Sequence, residues 1–367
     1  MKARITIVQP YVPMYRVDFF ELLRKRLDEE GIELRLVAGV PDPEQARRAD
    51  AAKLDWVEEV AWNRVRFAGR SAVVSRTRRL WSRDAGVILP LMGSNLDIYD
   101  ALIERRKRGL RVGLWGHVAN YTTHANPVDA FLERFQMRHA DHVFAYTQSG
   151  ADFAAEAGVH RARITTVRNT VPTDGIQAAI DRVTRDEVEK FCNDHAISGR
   201  TYAYIGGLDA SKRVDLLAEV LDELWVQDPS AKVLVGGSGS QRHMLECASK
   251  RGQVVMLGVV GDAEKAMIAK VASALINPGR IGLVAVDALV MRLPVVTINW
   301  PFHAPEADYL VPGKDVEFTD PSAAALTRTL LSMRRTDYGH MSTPPDIRDM
   351  VENFATGVRS MVDGADA

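Results

Sequence analysis

The chain is poor in several features that would each announce a class of protein. It has only 2 cysteines in 367 residues, Cys192 and Cys247, without metal-ligand spacing. That excludes a disulfide-stapled scaffold and a cysteine zinc site, and it suits free thiols in a reducing, cytoplasmic compartment. Net charge is nearly absent, at -1, so no overall field draws the chain to nucleic acid or to an anionic membrane, and any basic surface must be local. No run approaches the roughly 20 apolar residues that cross a bilayer. The first apolar run ends at Gln9-Pro10, too short for a signal peptide. There is no full G-x-G-x-x-G, no D-x-D metal motif, no internal repeat and no low-complexity tract.

What is present is apolar material in an orderly arrangement. A hydrophobic fraction of 46% is ample for large cores, and the length suits two domains. Strand-like runs at 4–8, 32–38, 86–91, 110–115, 142–146 and 164–167 alternate with helix-compatible segments. Residues 170–199 have no strand pattern and carry one charged amphipathic helix over 176–191. A second alternation then places strands at 201–205, 232–235, 254–257, 274–276 and 293–297. A last helix, about 347–362, follows Pro344-Pro345. The expected architecture is α/β, with two Rossmann-like, doubly wound parallel-sheet domains facing a cleft. The expected divisions are 1–171 as a first domain, 172–199 as connector, 200–345 as a second domain, and 346–367 as a terminal helix. Ligands of such sheets bind beyond the carboxyl ends of strands, which selects 9–16, 93–95, 116–120, 146–149 and Asn169.

Residues 277–289 are the most informative stretch. A strand breaks at Pro278 and Gly279, and the chain restarts as an apolar helix through Gly282 and Leu283. Free N–H groups and the positive helix end then converge on one spot suited to a phosphate. Asp287 sits about one turn in, within reach of a sugar hydroxyl. The plain alternative is an ordinary strand-to-helix connection.

Assembled in order, the motifs are similar to those of the GT-B glycosyltransferases, specifically the retaining glycosyltransferase family 4. Ile205 to Asp215 resembles the family's "GRL…K" segment. Val235-Gly236-Gly237-Ser238-Gly239 resembles "VGxG", and Leu257-Gly258-Val259-Val260 resembles "LG-V". Residues 277–289 resemble the "E-x7-E" element, and Leu293 to Val296 resembles "G-x-P-V-V". The resemblance implies a retaining, metal-independent transferase acting on a nucleotide-diphosphate sugar. The departing phosphate would help to remove the acceptor proton, and no protein nucleophile is implied. By the same resemblance, His117, Lys212 and Arg213 would be catalytic. Gly207, Gly237, Gly239, Val260, Arg280, Ile281, Gly282, Leu283 and Asp287 would bind the donor. His303 and Glu306, beyond a further strand end, would close the donor pocket. Two family acids fall on Gly279 and Asp287, and the arginine of "GRL" falls on Gly207. Sugar selection therefore passes to neighbours such as Arg280, Ile281 and His117.

The acceptor is read from the first half. Tyr11, Tyr15, Arg16 and Asn120 would line its side, for a glycan, a lipid-linked or a small-molecule acceptor. Residues 64–83 hold seven arginines with Trp62, Phe67 and Trp81 interleaved or adjacent. They suit peripheral contact with an anionic membrane on the inner face of the plasma membrane, or equally a solvated basic face. No cofactor, resident metal or nucleic-acid partner is expected. Two other functions stay open: a nucleotide-sugar epimerase of the same fold, which needs acid–base carboxylates, and a catalytically silent nucleotide-sugar-binding or scaffold protein, favoured by Gly207 and Gly279.

Overall fold

The computed structural model describes residues 2–40, 51–67, 70–118 and 127–364. The chain divides into two compact units. The first comprises residues 1–171 with 346–367, and the second residues 172–345.

The first unit is built on a seven-stranded sheet of order β3-β2-β1-β6-β7-β8-β9. Its strands are β1 (Ala3–Gln9), β2 (Ile32–Gly39), β3 (Glu58–Val60), β6 (Gly86–Pro90), β7 (Arg111–Gly116), β8 (His142–Ala145) and β9 (Ile164–Thr166), all parallel. A hairpin, β4 (Asn63–Phe67) with β5 (Arg70–Val74), stands apart from that sheet. Both faces of the sheet are covered, which explains the near-continuous apolar strands. Ile5, Ile7, Leu36 and Phe144 pack toward the helices Val17–Glu29 and Ile347–Asp363. Val8, Val87, Leu114 and Val143 face the opposite way, toward the helices Leu96–Arg108, Pro127–His139 and Gln148–Glu156. Asn95 caps the 96–108 helix by accepting from Asp97 N–H at 3.1 Å, and Gly109 closes it in a left-handed conformation.

The basic stretch over 64–83 does not form one aromatic-studded face. Trp81 is fully buried in the core and donates its indole N–H to Thr77 Oγ1 at 2.9 Å. Trp62 is half-buried, and Arg78 pairs with buried Glu104. The side chains of residues 64–72, Phe67 among them, lie outside those described.

The second unit carries a six-stranded parallel sheet of order β12-β11-β10-β13-β14-β15. Its strands are β10 (Thr201–Ile205), β11 (Lys232–Gly236), β12 (Val254–Gly258), β13 (Leu275–Asn277), β14 (Val295–Ile298) and β15 (Val316–Thr319). Residues 172–199, read from sequence as a connector with one helix, fold into two, Asp174–Arg182 and Arg185–Asp194, and belong to this unit. Thr184 breaks the run by forming a capping box with Glu187. Ile176 is buried on the apolar core that faces the helices Asp262–Val271 and Val284–Met291.

Strand order reverses beside β1 in the first sheet and beside β10 in the second. In doubly wound sheets these reversals open the crevice at the carboxyl edge. They direct attention to the loops after β1 and β6 in one unit, and after β10 and β13 in the other.

Candidate active site

In the second unit three strand-end loops are stitched together through their backbones. Gly206 N–H donates to Gly236 O (2.9 Å), Leu208 N–H to Ser238 O (2.9 Å), and Gly237 N–H to Gly258 O (2.6 Å). On the other side, Arg280 N–H donates to Ser211 O (2.9 Å). The loop after β10 therefore lies between the loops after β11 and β13. Three glycines are dictated by this closeness. Gly237 adopts φ +148°, and a Cβ there would lie 1.9 Å from Gly206 O. A Cβ on Gly279 would lie 2.3 Å from the carbonyl carbon of Lys212, so the Lys212 backbone occupies the space that a side chain at 279 would need. Gly239 abuts the Leu208 carbonyl in the same way, Gly207 accepts the Tyr204 hydroxyl on its carbonyl at 2.6 Å, and Val260 packs against Gly236.

Lys212 is half-buried inside this junction, and its ammonium donates to Arg280 O at 2.5 Å. Burial pushes its pKa down to about 8; Arg280 acts in the same direction, while the Asp209 and Glu306 carboxylates oppose it. Arg213 adopts a left-handed conformation, φ +51°, points its Nε at Asp215 (3.0 Å) and stacks over Trp300 at 5.6 Å. His303 locks the next turn. Its Nδ1 accepts from Ile281 N–H (3.1 Å), so its Nε2–H is placed to donate to Ile298 O (3.2 Å). Burial lowers its pKa, helped by Lys212 and Arg280 and opposed by the hydrogen bond to Ile298, and so favours the neutral ring. Glu306 is buried beside them.

The helix Val284–Met291 opens from this locked turn. Its first intrahelical bond is Ala285 N–H to Gly282 O (2.9 Å), so the N–H groups of Gly282, Leu283 and Val284 precede the ladder, as an anion site requires. Ile281 is fully buried and its N–H is already taken by His303. Asp287 lies in the first turn, is 7% exposed, and accepts from Lys265 Nζ at 2.8 Å through Oδ1. Below the turn, Asn277 and its register partner Thr297 are buried with side-chain polar atoms that find no hydrogen-bond partner among the described residues.

The carboxyl edge of the first unit is built from side chains. Arg16 is 5% exposed and lies over the rings of Tyr15, Phe19, Trp115 and Tyr146 at 5.3 to 5.8 Å. It donates to Asn169 Oδ1 and toward the Met350 sulfur, and among the described residues no carboxylate pairs with it. His117 is half-buried with its ring 4.8 Å from that of Tyr146. The residue after it, Val118, holds φ +69°, a strained conformation for a β-branched residue. Tyr11 is half-buried on the same edge, and Asn120 lies outside the described residues.

Comparisons with known proteins bear on the fold. Residues 199–331 match the model of the group 1 glycosyl transferases. The fold is GT-B. Anabaena HepE in complex with UDP-glucose is 12% identical with a TM-score of 0.67, over 98% of this chain and 100% of that one. The lipopolysaccharide outer core galactosyltransferase WaaB, in its apo form, is 14% identical with a TM-score of 0.59, over 98% and 99%. A UDP-N-acetylglucosamine 2-epimerase assigned in Listeria monocytogenes is 12% identical with a TM-score of 0.63, over 99% and 97%. No curated protein sequence matches the chain.

The structure thus brings Gly207, Lys212, Arg213, Gly237, Gly239, Val260 and residues 280–283 into one loop junction of the second unit, with Asp287 one turn below. Tyr15, Arg16 and His117 lie at the strand ends of the first. Lys265, the Asn277–Thr297 pairing and the Lys212–Arg280 contact were not read from sequence. The Asp287 partner Lys265 lies 22 residues away, and no local pattern marks it. The Asn277–Thr297 pair shows only as polar residues closing apolar strands, which was the one available signal. The Lys212 contact with Arg280 spans 68 residues and has none.

Proposed function

We propose that the chain is a retaining, metal-independent glycosyltransferase that moves a sugar from a nucleotide-diphosphate sugar to a hydroxyl acceptor. The observation that carries this reading is the locked turn opening the 284–291 helix at the point where the second sheet reverses its strand order, within the segment that matches the glycosyl transferase model. Anabaena HepE, a neighbour of the same fold, is solved in complex with UDP and with UDP-glucose, which supports a nucleotide-diphosphate sugar as the donor of this chain.

In this reading the N–H groups of Gly282, Leu283 and Val284 face the diphosphate, and the positive helix end stabilises the charge that builds as it leaves. Lys212 and Arg280 supply the cations, and Lys212 also fixes the turn through the Arg280 carbonyl. His303 holds Ile281 so that the turn is set before the donor arrives. Asp287 keeps Oδ1 for Lys265 and offers Oδ2 to the ribose hydroxyls. His117 contacts the donor sugar, and the leaving phosphate oxygen takes the acceptor proton. Tyr11, Tyr15, Arg16 and Asn120 meet the acceptor. The protein works in a reducing, cytoplasmic compartment with Cys192 and Cys247 as free thiols. Among the described residues no helix is long and apolar enough to cross a membrane.

The test is incubation with a panel of nucleotide sugars and acceptors, with product anomers resolved by NMR. A retained-anomer glycoside, formed at the same rate with and without chelator, is expected. An inverted product, or activity lost to chelator and restored by Mn²⁺, overturns the stated mechanism. Formation of an epimerised nucleotide sugar without transfer supports the epimerase instead, and binding without turnover supports a silent binding protein.

A further inference from the structure

Large apolar side chains exposed to solvent are scattered over most of this protein, but on two neighbouring helices of the first unit they line up. On the 96–108 helix, Leu96 is 43% exposed and Ile103 46%, with Tyr99 between them on the same stripe. On the 127–139 helix, Phe131 is 67% exposed and Phe135 39%. The stripes join, because the Tyr99 and Phe135 rings stack at 6.5 Å. Gln136 ties the two helices by donating to Tyr99 Oη at 3.2 Å and to Met92 O at 3.1 Å. The patch is therefore a fixed platform.

Its border is basic. Arg106 and Lys107 continue the 96–108 stripe one turn beyond Ile103, and Arg134 lies one turn from Phe131. All three are exposed, the Arg134 guanidinium lying over the Phe153 ring at 5.7 Å, and among the described residues no carboxylate pairs with them. The acids nearby, Asp100, Asp129 and Glu133, are half-buried, and Glu133 is turned inward to accept from Gly93 N–H. Aromatic and aliphatic side chains ringed by outward cations are the composition of a surface that lies on anionic lipid.

We propose that this two-helix face docks on an anionic bilayer surface, with Phe131 and Phe135 entering the acyl boundary and Arg106, Lys107 and Arg134 meeting the headgroup phosphates. The sequence directs attention to residues 64–83 for such contact, yet Trp81 of that stretch is in the core. The docking face lies on the next two helices. Their first turns stand at the carboxyl edge of the sheet, the edge that carries Arg16 and His117. A bilayer on this face would hold a lipid-borne acceptor beside that edge. The docking itself does not depend on any transfer reaction.

The experiment is co-sedimentation of the full chain with phosphatidylcholine vesicles and with vesicles containing phosphatidylglycerol. Binding to the anionic vesicles alone, weakening with salt, is expected. The Phe131→Ser/Phe135→Ser pair should lower it by on the order of tenfold or more. Arg106→Gln and Lys107→Gln should each lower it about fivefold. Val226→Ser, at an exposed apolar residue of the other unit, should leave it unchanged. Circular dichroism of each variant confirms folding. Equal binding to both vesicle types, no binding, or full binding by the double phenylalanine variant overturns the proposal. So does a concentration-dependent dimer that the same double variant abolishes, since the face would then meet a second copy. Nucleotide-sugar hydrolysis, measured in parallel without vesicles, reports on the transfer reading separately.

Discussion

The two units present the same edge of the same kind of sheet and build it from opposite materials. In the second unit the edge is backbone against backbone: loops cross so closely that Gly237 and Gly279 have no room for a methyl group. In the first it is side chain against side chain, with a buried guanidinium among four rings. A backbone edge offers N–H groups at fixed positions and suits a ligand part that never varies, such as a diphosphate. A side-chain edge can be altered residue by residue, and suits a part that differs between relatives, such as an acceptor. The contrast yields predictions of decreasing size.

The largest concerns the glycines. Gly279→Ala should destabilise the second unit by about 3 kcal/mol, because the methyl group meets the Lys212 backbone rather than a movable side chain. Nucleotide affinity should fall with it. Gly282→Ala is the matched control: its Cβ would meet only the Ala304 methyl at 3.7 Å, and its melting temperature should stay near the parent's. The same geometry predicts that Gly279→Glu, which places at 279 the first acid of the E-x7-E element that this stretch resembles, does not raise turnover. Thermal unfolding and titration with UDP check both. Equal melting temperatures for Gly279→Ala and Gly282→Ala would show that the junction is looser than described.

Asp287 comes next. The pair with Lys265 is nearly buried on both sides, at 10% and 18% side-chain exposure. Asp287→Ala removes one partner and strands the other charge, a change that costs about 3 kcal/mol. If Asp287 holds the ribose as proposed, the change should also weaken nucleotide binding on the order of tenfold to a hundredfold. The double variant Asp287→Leu/Lys265→Leu separates these effects. Calorimetry should show stability largely recovered and affinity still lost. Recovery of affinity in the double variant would reduce Asp287 to a purely structural acid.

How far the sequence foretold all this follows from what each feature depends on. The parallel strands were legible because they are buried on both faces and write themselves as apolar runs, such as 201–205 and 232–235. The strands β3 and β15 have only 3 and 4 residues and are partly covered, so no such run marks them, and β4 and β5 form a hairpin apart from the buried sheet. The break at Thr184 was written locally, as Thr-x-x-Glu, beneath a continuous amphipathic pattern that suggested one helix. Arginines surround Trp81 in the chain, the pattern of an interfacial aromatic; in space it belongs to the same buried core as Val8, Leu89 and Ile98. The absence of an acid at 279 was plain in the sequence. Its cause, the approach of residues 211–213, exists only once two loops about 70 residues apart have been brought together by the order of the strands.

Lys212 gives a smaller, pH-dependent effect. Its pKa is lowered from 10.5 to about 8 in the absence of ligand, chiefly by burial. A bound diphosphate favours the charged form and raises it again. Below about 8 the lysine is charged with or without ligand and contributes no slope. Between about 8 and 10.5 the free protein has lost the proton that the complex holds, so binding takes up a proton and affinity falls as pH rises. Folding stability moves the other way over that window, since the unfolded lysine binds the proton more tightly than the folded one. Isothermal titration in buffers of different ionisation enthalpy measures the uptake. Lys212→Met should abolish it. Proton release in that window, or uptake unchanged in Lys212→Met, would exclude Lys212 as a partner of the diphosphate.

The smallest effect brings the first unit into the comparison. Arg16 has no described carboxylate partner, so Arg16→Met strands no opposite charge, and Asn169 loses one donor. Desolvation of the guanidinium is relieved while its ring contacts are lost; these oppose each other, and the net change should be about 1 kcal/mol. If Arg16 belongs to an acceptor edge built separately from the donor edge, UDP affinity in Arg16→Met should equal the parent's, while acceptor KM rises severalfold. Arg16→Lys keeps the charge but not the planar group that lies over the rings, and should fall between the two. A loss of UDP affinity in Arg16→Met as large as that in Asp287→Ala would show that the side-chain edge also grips the donor, and the division of labour between the two edges would have to be abandoned.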